Sequence, residues 1–178
     1  PKQKETTPKA LSRENFEKLR DLEIPEKRRS HVITRDLFLF ACYTGTAYAD
    51  AVSITRENLF QDDEGSLWLK YRRKKTDYLG RVKLLPEALA LIGKYRDDTR
   101  ITLFPPQDYH TLRANMKSLR LMAGLSQDLV YHMARHSFGT LTLTAGIPIE
   151  SIARMMGHTN IDSTQVYAQV TDRKISSD

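Results

Sequence analysis

Leu67-Trp68-Leu69-Lys70-Tyr71-Arg72-Arg73 and, after a polar link, Arg81-Val82-Lys83-Leu84-Leu85 mark the place where this chain changes character. Here apolar and basic residues alternate, as on a half-buried strand. The link Lys74-Lys75-Thr76-Asp77-Tyr78-Leu79-Gly80 is polar, so the two runs predict one basic β-hairpin. On either side, apolar residues recur at helical spacing. Upstream, Ser12 is placed to cap a helix carrying Phe16 and Leu19 on one face. Ile24–Arg29, with its proline and charges, reads as a turn. Ser30 then reads as the cap of a helix bearing Ile33, Leu37, Phe40 and Ala41, which Gly45 stops. Ala47–Val52 predicts one short further helix.

Downstream, Pro86 opens a helix through Leu89 and Ile92, and Phe104-Pro105-Pro106 is a loop. His110–Ala123, Val130–Ala145, Ile149–Met156 and roughly Ser163–Gln169 read as helices, the first three each stopped by a glycine. The fold class is therefore α+β and mainly α, with one small antiparallel β-sheet. No βαβ alternation and no Gly-rich phosphate motif is present.

The chain has 178 residues, 40% hydrophobic and 28% charged, enough for one domain with a buried core. Its apolar runs are too short to span a bilayer, so no membrane partner is expected. The single cysteine, Cys42, allows no internal disulfide and no Cys-based zinc site, and a reducing cytoplasm is the expected setting. Twenty-eight Lys and Arg against 22 Asp and Glu give a net charge of +6, which favours a polyanionic partner over an ordinary basic surface. Residues 1–10 are polar and begin on Pro1. They are expected to be a linker from an upstream domain, with residues 11–178 forming the catalytic unit and a short polar C-terminal tail.

The densest chemistry lies in His132-Met133-Ala134-Arg135-His136, followed by Met156-Gly157-His158-Thr159 and then Tyr167. Three readings compete. His132 and His136, at i and i+4, could ligate a metal with His158 as a third ligand. Arg135 between them would repel the cation, and no Glu follows His132. The histidines could instead be satisfied core residues, the plainest reading for His136. The third reading is metal-free phosphodiester chemistry. Arg135 can grip a phosphate with two parallel hydrogen bonds, and His132 and His158 can donate to its other oxygens. Tyr167, whose phenol has an ordinary pKa of ~10, can attack. A hairpin lysine can protonate the leaving 5′-hydroxyl. Clustered cationic donors would stabilise a pentacoordinate phosphorane more than the ground state.

The segment His132-x-x-Arg135-His136-Ser137-Phe138-Gly139-Thr140 resembles the second box of the tyrosine recombinases, the phage-integrase family. Gly146-Ile147-Pro148-Ile149-Glu150 and the run from Met156 to Tyr167 fit the same family, as do Cys42-Tyr43-Thr44-Gly45, Asp50 and Lys75-Thr76. The resemblance covers Leu11 to about Lys174, is confined to the catalytic domain, and looks most like the integrases of Bacteroides-type mobile elements. It implies the tyrosine-recombinase catalytic fold. It implies site-specific cutting and rejoining of double-stranded DNA at attachment sites by a homotetramer, with accessory DNA-bending factors as further partners. No metal or other cofactor is implied, because the phosphotyrosyl bond conserves the energy of the cut. It further implies that Tyr167 forms a 3′-phosphotyrosyl link, that Arg135 is the second arginine of the family's pair, and that His132 is a general base or oxyanion donor. His158 would contact the scissile phosphate, and Lys75 would be the general acid.

The family's first arginine follows Thr-Gly in a Thr-Gly-x-Arg pattern, and here that position is Ala47. Arg73 is the candidate replacement. If the strand extends that far, Arg73 and Lys75 share a face and lie about 7 Å apart, with Arg72 and Lys74 facing away. Arg35 and Arg56 are the next candidates. Two other functions remain open: a type IB topoisomerase, which uses a similar constellation, and a DNA-binding regulator that has lost catalysis, which Ala47 favours.

Overall fold

The computed structural model describes residues 10–144 and Glu150. Helix α1 spans Arg13–Arg20, and Ser12 caps it by accepting from the Asn15 N–H, as its position predicts. A 3₁₀ turn at Glu26–Arg28 runs directly into α2, Arg29–Thr44. Ser30 is therefore not the cap of α2 but a residue of its first turn. Its hydroxyl instead accepts from the Asn115 amide at 2.9 Å, a tertiary bond that local pattern does not show.

Helix α2 is the spine. From Ile33 to Thr44 only Tyr43 is not buried, so this stretch of the helix has no solvent face and little amphipathic signal. Burial on all sides forces its charged residues to find partners. The Asp36 carboxylate accepts from Arg35 Nε at 2.8 Å, Lys94 Nζ at 2.7 Å and the Tyr95 hydroxyl at 2.5 Å. The Arg35 Nη1 reaches the carbonyls of Leu19 and Leu22 at the end of α1. Phe38 and Phe40 of this spine, with Phe104, Leu112, Met116, Leu119 and Tyr131 around it, make the core.

Gly45 ends α2 in the left-handed region at φ 74°. The short helix α3, Tyr48–Ala51, follows. The sheet has three strands in the order β1 (Leu59–Gln61), β2 (Leu67–Arg72) and β3 (Leu79–Lys83), all antiparallel. The hairpin is present, but its limits shift. The first strand stops at Arg72 rather than Arg73. The second covers Leu79–Lys83 rather than Arg81–Leu85, because Gly80 pairs with Tyr71 and Leu79 with Arg72. Strand β1, absent from the sequence reading, pairs Phe60 with Trp68. Inward residues Leu69, Tyr71 and Val82 are buried, and outward Lys70, Arg72, Arg81 and Lys83 are exposed.

Helix α4, Pro86–Lys94, opens on proline as expected. Helix α5, Tyr109–Ala123, is capped by Asp108, which accepts from the Thr111 N–H, and closed by Gly124. Helix α6, Met133–Thr144, begins three residues later than Val130, which lies in the turns before it. The readings at Ile149–Met156 and Ser163–Gln169 lie outside the described residues. The α+β, mainly helical class stands, and α1, α4, α5 and α6 all pack on α2.

Gly45 joins α2 to α6. A Cβ there would sit 2.5 Å from Phe138 Cδ1, and the positive φ disfavours any side chain. Gly45→Ala is expected to destabilise the fold by about 2–4 kcal/mol, adding left-handed strain to overpacking. Urea denaturation measures it, and a loss under about 0.5 kcal/mol, the scale of a neutral surface change, would contradict this packing.

Candidate active site

Arg135 is 3% exposed on the first turns of α6. A buried guanidinium needs acceptors, and one is the Gly45 carbonyl, freed at the left-handed end of α2. His132 precedes α6 in the turn rather than lying within the helix, so the shared-face argument for His132 and Arg135 is replaced by proximity at a helix start. Its ring meets that of His136 edge to face, with centroids 4.6 Å apart.

From the other side comes the hairpin. The Arg73 N–H donates to the Tyr78 carbonyl at 2.8 Å, carrying the pairing one step beyond β2. The Asp77 N–H returns to the Arg73 carbonyl at 2.7 Å, so Lys74, Lys75 and Thr76 form the tip. Asp77 takes the left-handed conformation at φ 57° that closes this turn. The root of the tip is anchored on α3, where the buried Asp50 carboxylate accepts from the Lys74 N–H at 3.1 Å. Lys75 is therefore a turn residue, and the extended i, i+2 geometry expected between Arg73 and Lys75 does not apply. The alternation holds one step earlier. Tyr71 is buried, Arg72 is exposed with Nη1 on the Asp77 carbonyl at 3.3 Å, and Arg73 is half-buried.

Charges from the hairpin and from α6 act on the same side chains. Although His132 reaches solvent, crowding of its ring lowers its pKa, and the charges of Arg135, Lys75 and Arg73 lower it further. Arg135 and Arg73 likewise act on the Tyr71 phenol, whose pKa burial raises. Arg73, Lys75, His132 and Arg135 are thus neighbours, although 56 residues separate Lys75 from the turn at residues 131–132. The other two candidate arginines are committed elsewhere. Arg35 holds the end of α1, and Arg56 Nη2 donates to the carbonyls of Asp97 and Arg100, both at 2.8 Å. His158 and Tyr167 lie outside the described residues. An open cleft of about 530 Å³, lined by Glu26, Arg29, Lys94 and Arg96 among others, shares no residue with this cluster.

The sequence pattern of the phage integrase family matches residues 9–174. The chain belongs to the phage integrase family. The integrase of Escherichia phage P2 is 30% identical over 125 residues, which are 70% of this chain and 34% of that protein. The XerA tyrosine recombinase of Thermococcus onnurineus is 26% identical over 181 residues, 96% of this chain and 61% of the relative. Among solved structures, a post-cleavage complex of the XerH site-specific recombinase with its palindromic difH substrate superposes with a TM-score of 0.73 at 18% identity. That match covers 97% of this chain and 52% of XerH. A XerA recombinase structure gives 0.72 at 22% identity, over 99% of this chain and 65% of that one. This integrase-family chain therefore spans between about a third and two thirds of these relatives.

Two features beside this cluster escaped the sequence reading. One is the tie between Asp50 and the hairpin backbone. The other is Tyr71, although strand alternation already put it on the face of Arg73. Tyr131, next to His132 in the chain, is buried in the core with its hydroxyl on the Leu37 carbonyl at 3.3 Å. No helix among the described residues is long and apolar enough to cross a membrane.

The histidine pair makes stability pH-dependent. Burial, then the charges of His132 and Arg135, push His136 down to about 4 from an ordinary 6.5. The unfolded chain binds a proton there that the folded one refuses, so stability is full above pH 6.5 and falls as pH drops toward about 4. His136→Gln should flatten that part of the profile, read from urea midpoints at about pH 7, 5.5 and 4.5. A profile unchanged by the substitution would refute the assignment.

Proposed function

We propose that this chain is the catalytic domain of a site-specific DNA recombinase that cuts and rejoins double-stranded DNA through a 3′-phosphotyrosyl intermediate. The observation that carries the reading is the convergence of Arg73, Lys75, His132 and Arg135 from two distant parts of the sequence. Such a group suits a phosphodiester, whose transition state concentrates negative charge on its non-bridging oxygens. Family membership supports the same substrate, as does the likeness to a XerH structure bound to difH DNA and a lambda integrase dimer bound to a core site.

In this scheme Tyr167 attacks the scissile phosphorus and the 3′-side becomes linked to its oxygen. Lys75, exposed at the hairpin tip, gives its proton to the departing 5′-oxygen. Arg135, His132 and His158 hold the non-bridging oxygens. The nucleophile's proton passes to His132, whose pKa is already lowered by crowding and by its cationic neighbours, so that it stands neutral and able to accept. Arg73 takes the place of the arginine missing at Ala47. In favour of this are its half-buried position, its action on both His132 and Tyr71, and the commitment of Arg35 and Arg56 to structural carbonyls.

The finer parts of the reading are a Bacteroides-type mobile-element integrase acting in the bacterial nucleoid, and a homotetramer working on two duplexes with accessory DNA-bending factors. Ala47 favours one second reading, a DNA-binding regulator with impaired cleavage.

A nicked suicide substrate, which traps the protein–DNA adduct, separates the two. The unsubstituted chain should form the adduct, and Tyr167→Phe should form none while retaining duplex binding. An adduct from Tyr167→Phe would move the nucleophile to another residue, and none from either protein favours the regulator.

Arg73→Ala should lower the cleavage rate at saturating DNA by ~10²-fold, the scale for one lost oxyanion donor. Arg72→Ala, turned away from the cluster, should mainly weaken binding and leave that rate nearly unchanged. Equal losses of rate in both variants would remove Arg73 from the site.

A further inference from the structure

The Tyr71 hydroxyl and the Arg73 Nε are both shut off from solvent and both lack a hydrogen-bond partner. A buried polar group without a partner is costly, and folded proteins contain few. Here two occur two residues apart, on β2 and on the step of pairing that continues it, and both Arg135 and Arg73 act on the Tyr71 phenol. Arg135 stands close enough to the Tyr71 oxygen to favour its charged form as a donor would, and the phenol's own O–H is what finds no acceptor. The nearest carboxylate by electrostatic effect, Asp50, spends one oxygen on the Lys74 N–H.

The phenol is held there by packing. Its ring lies over Gly80 on β3 so closely that a Cβ at that position would fall 2.8 Å from Cε1 and Cζ. Gly80 thus gives the ring its slot, and residue 71 is 5% exposed. The strand pairing of Tyr71 with Gly80 fixes the register. A phenylalanine would fill this slot equally well and would leave no unpaired hydroxyl. The hydroxyl therefore costs the free protein stability without serving its packing, a pattern found where binding supplies the missing partner.

We propose that Tyr71 is a further member of the anion site, its hydroxyl donating a hydrogen bond to a non-bridging oxygen of the phosphodiester held between Arg73 and Arg135. The inference rests on the strand-cleavage reading above and adds a neutral donor to its cationic ones. Both unpaired groups are donors, Tyr71 through O–H and Arg73 through Nε–H, so the partner they share is an acceptor. An oxygen carrying negative charge satisfies both, and it draws more from them as charge grows in the transition state.

The test uses the 178-residue chain and suicide substrates whose scissile phosphate is either unmodified or one of the two phosphorothioate diastereomers. Tyr71→Phe should cleave the unmodified substrate ~10²-fold more slowly at saturating DNA, the scale for losing one oxyanion donor. Its duplex affinity should be nearly unchanged, and the melting temperature of the free protein unchanged or raised. Sulfur accepts hydrogen bonds poorly, so the ratio of unsubstituted to Tyr71→Phe rates should shrink toward unity for one diastereomer and persist for the other. An equal ratio on all three substrates, or a Tyr71→Phe rate equal to that of the unsubstituted chain, would overturn the role of Tyr71 and leave strand cleavage standing. A lowered melting temperature with lost binding would do the same, marking a structural residue. No adduct from the unsubstituted chain would overturn the strand-cleavage reading and this role with it.

Discussion

A guanidinium removed from water must be met by fixed acceptors, and the position of Arg135 follows from that requirement. One such acceptor is the carbonyl of Gly45, available because α2 ends there and the chain turns left-handed. The same glycine lets Phe138 of α6 lie against the backbone where any other residue would collide. One helix end therefore supplies the hydrogen bond and the packing that fix the helix carrying Arg135. Since α2 is also the spine on which α1, α4, α5 and α6 pack, the charge at the centre of the site is referenced to the whole domain.

The hairpin is tied to the same region by a lighter joint. Asp50 holds the Lys74 backbone, while the side chains of Lys74 and Lys75 remain exposed. Backbone anchoring suits the proton delivery proposed for Lys75, because it fixes the root and leaves the long side chain free to reach. The cost is electrostatic. Arg73, Lys75, Arg135 and the His132 imidazole lie together, and the histidine responds by losing its proton more readily than usual. Core burial elsewhere must offset this repulsion, and a bound polyanion would relieve it.

Much of this was legible in the sequence, for definite reasons. The hairpin alternation, the Ser12 cap, Pro86 at a helix start and the glycine stops at Gly45 and Gly124 are local signals, and the fold keeps them. The misses are tertiary. Ser30 has a capping side chain, but a 3₁₀ turn had already begun the helix, and its hydroxyl serves Asn115 instead. Leu59-Phe60-Gln61 is too short to show alternation and becomes a strand only because β2 offers it an edge. Gly80 reads as loop because glycine usually breaks strands, whereas here it admits the Tyr71 ring. In the site, Arg73, Lys75, His132 and Arg135 were visible as residue types in a known order. That Tyr71 would be enclosed without a partner depends on the register of β2 against β3, which no local pattern carries.

Under the proposed replacement of the arginine missing at Ala47 by Arg73, the backbone that frames the position keeps its role. Ala47 occupies the position before α3, with φ −71° and ψ 161°, and its carbonyl accepts from the Ala51 N–H at 2.9 Å. The backbone role of the position is thus intact and only the side chain is short. The helix that begins at this residue carries Asp50, and Asp50 holds the segment that presents Arg73. With alanine there, α3 acts one step removed, through a carboxylate that fixes the hairpin root. A phosphate oxygen responds to the position and charge of a guanidinium and not to the element that bears it. The proposed exchange asks that the hairpin be held against α3, and the bond from Lys74 to Asp50 ties its root there.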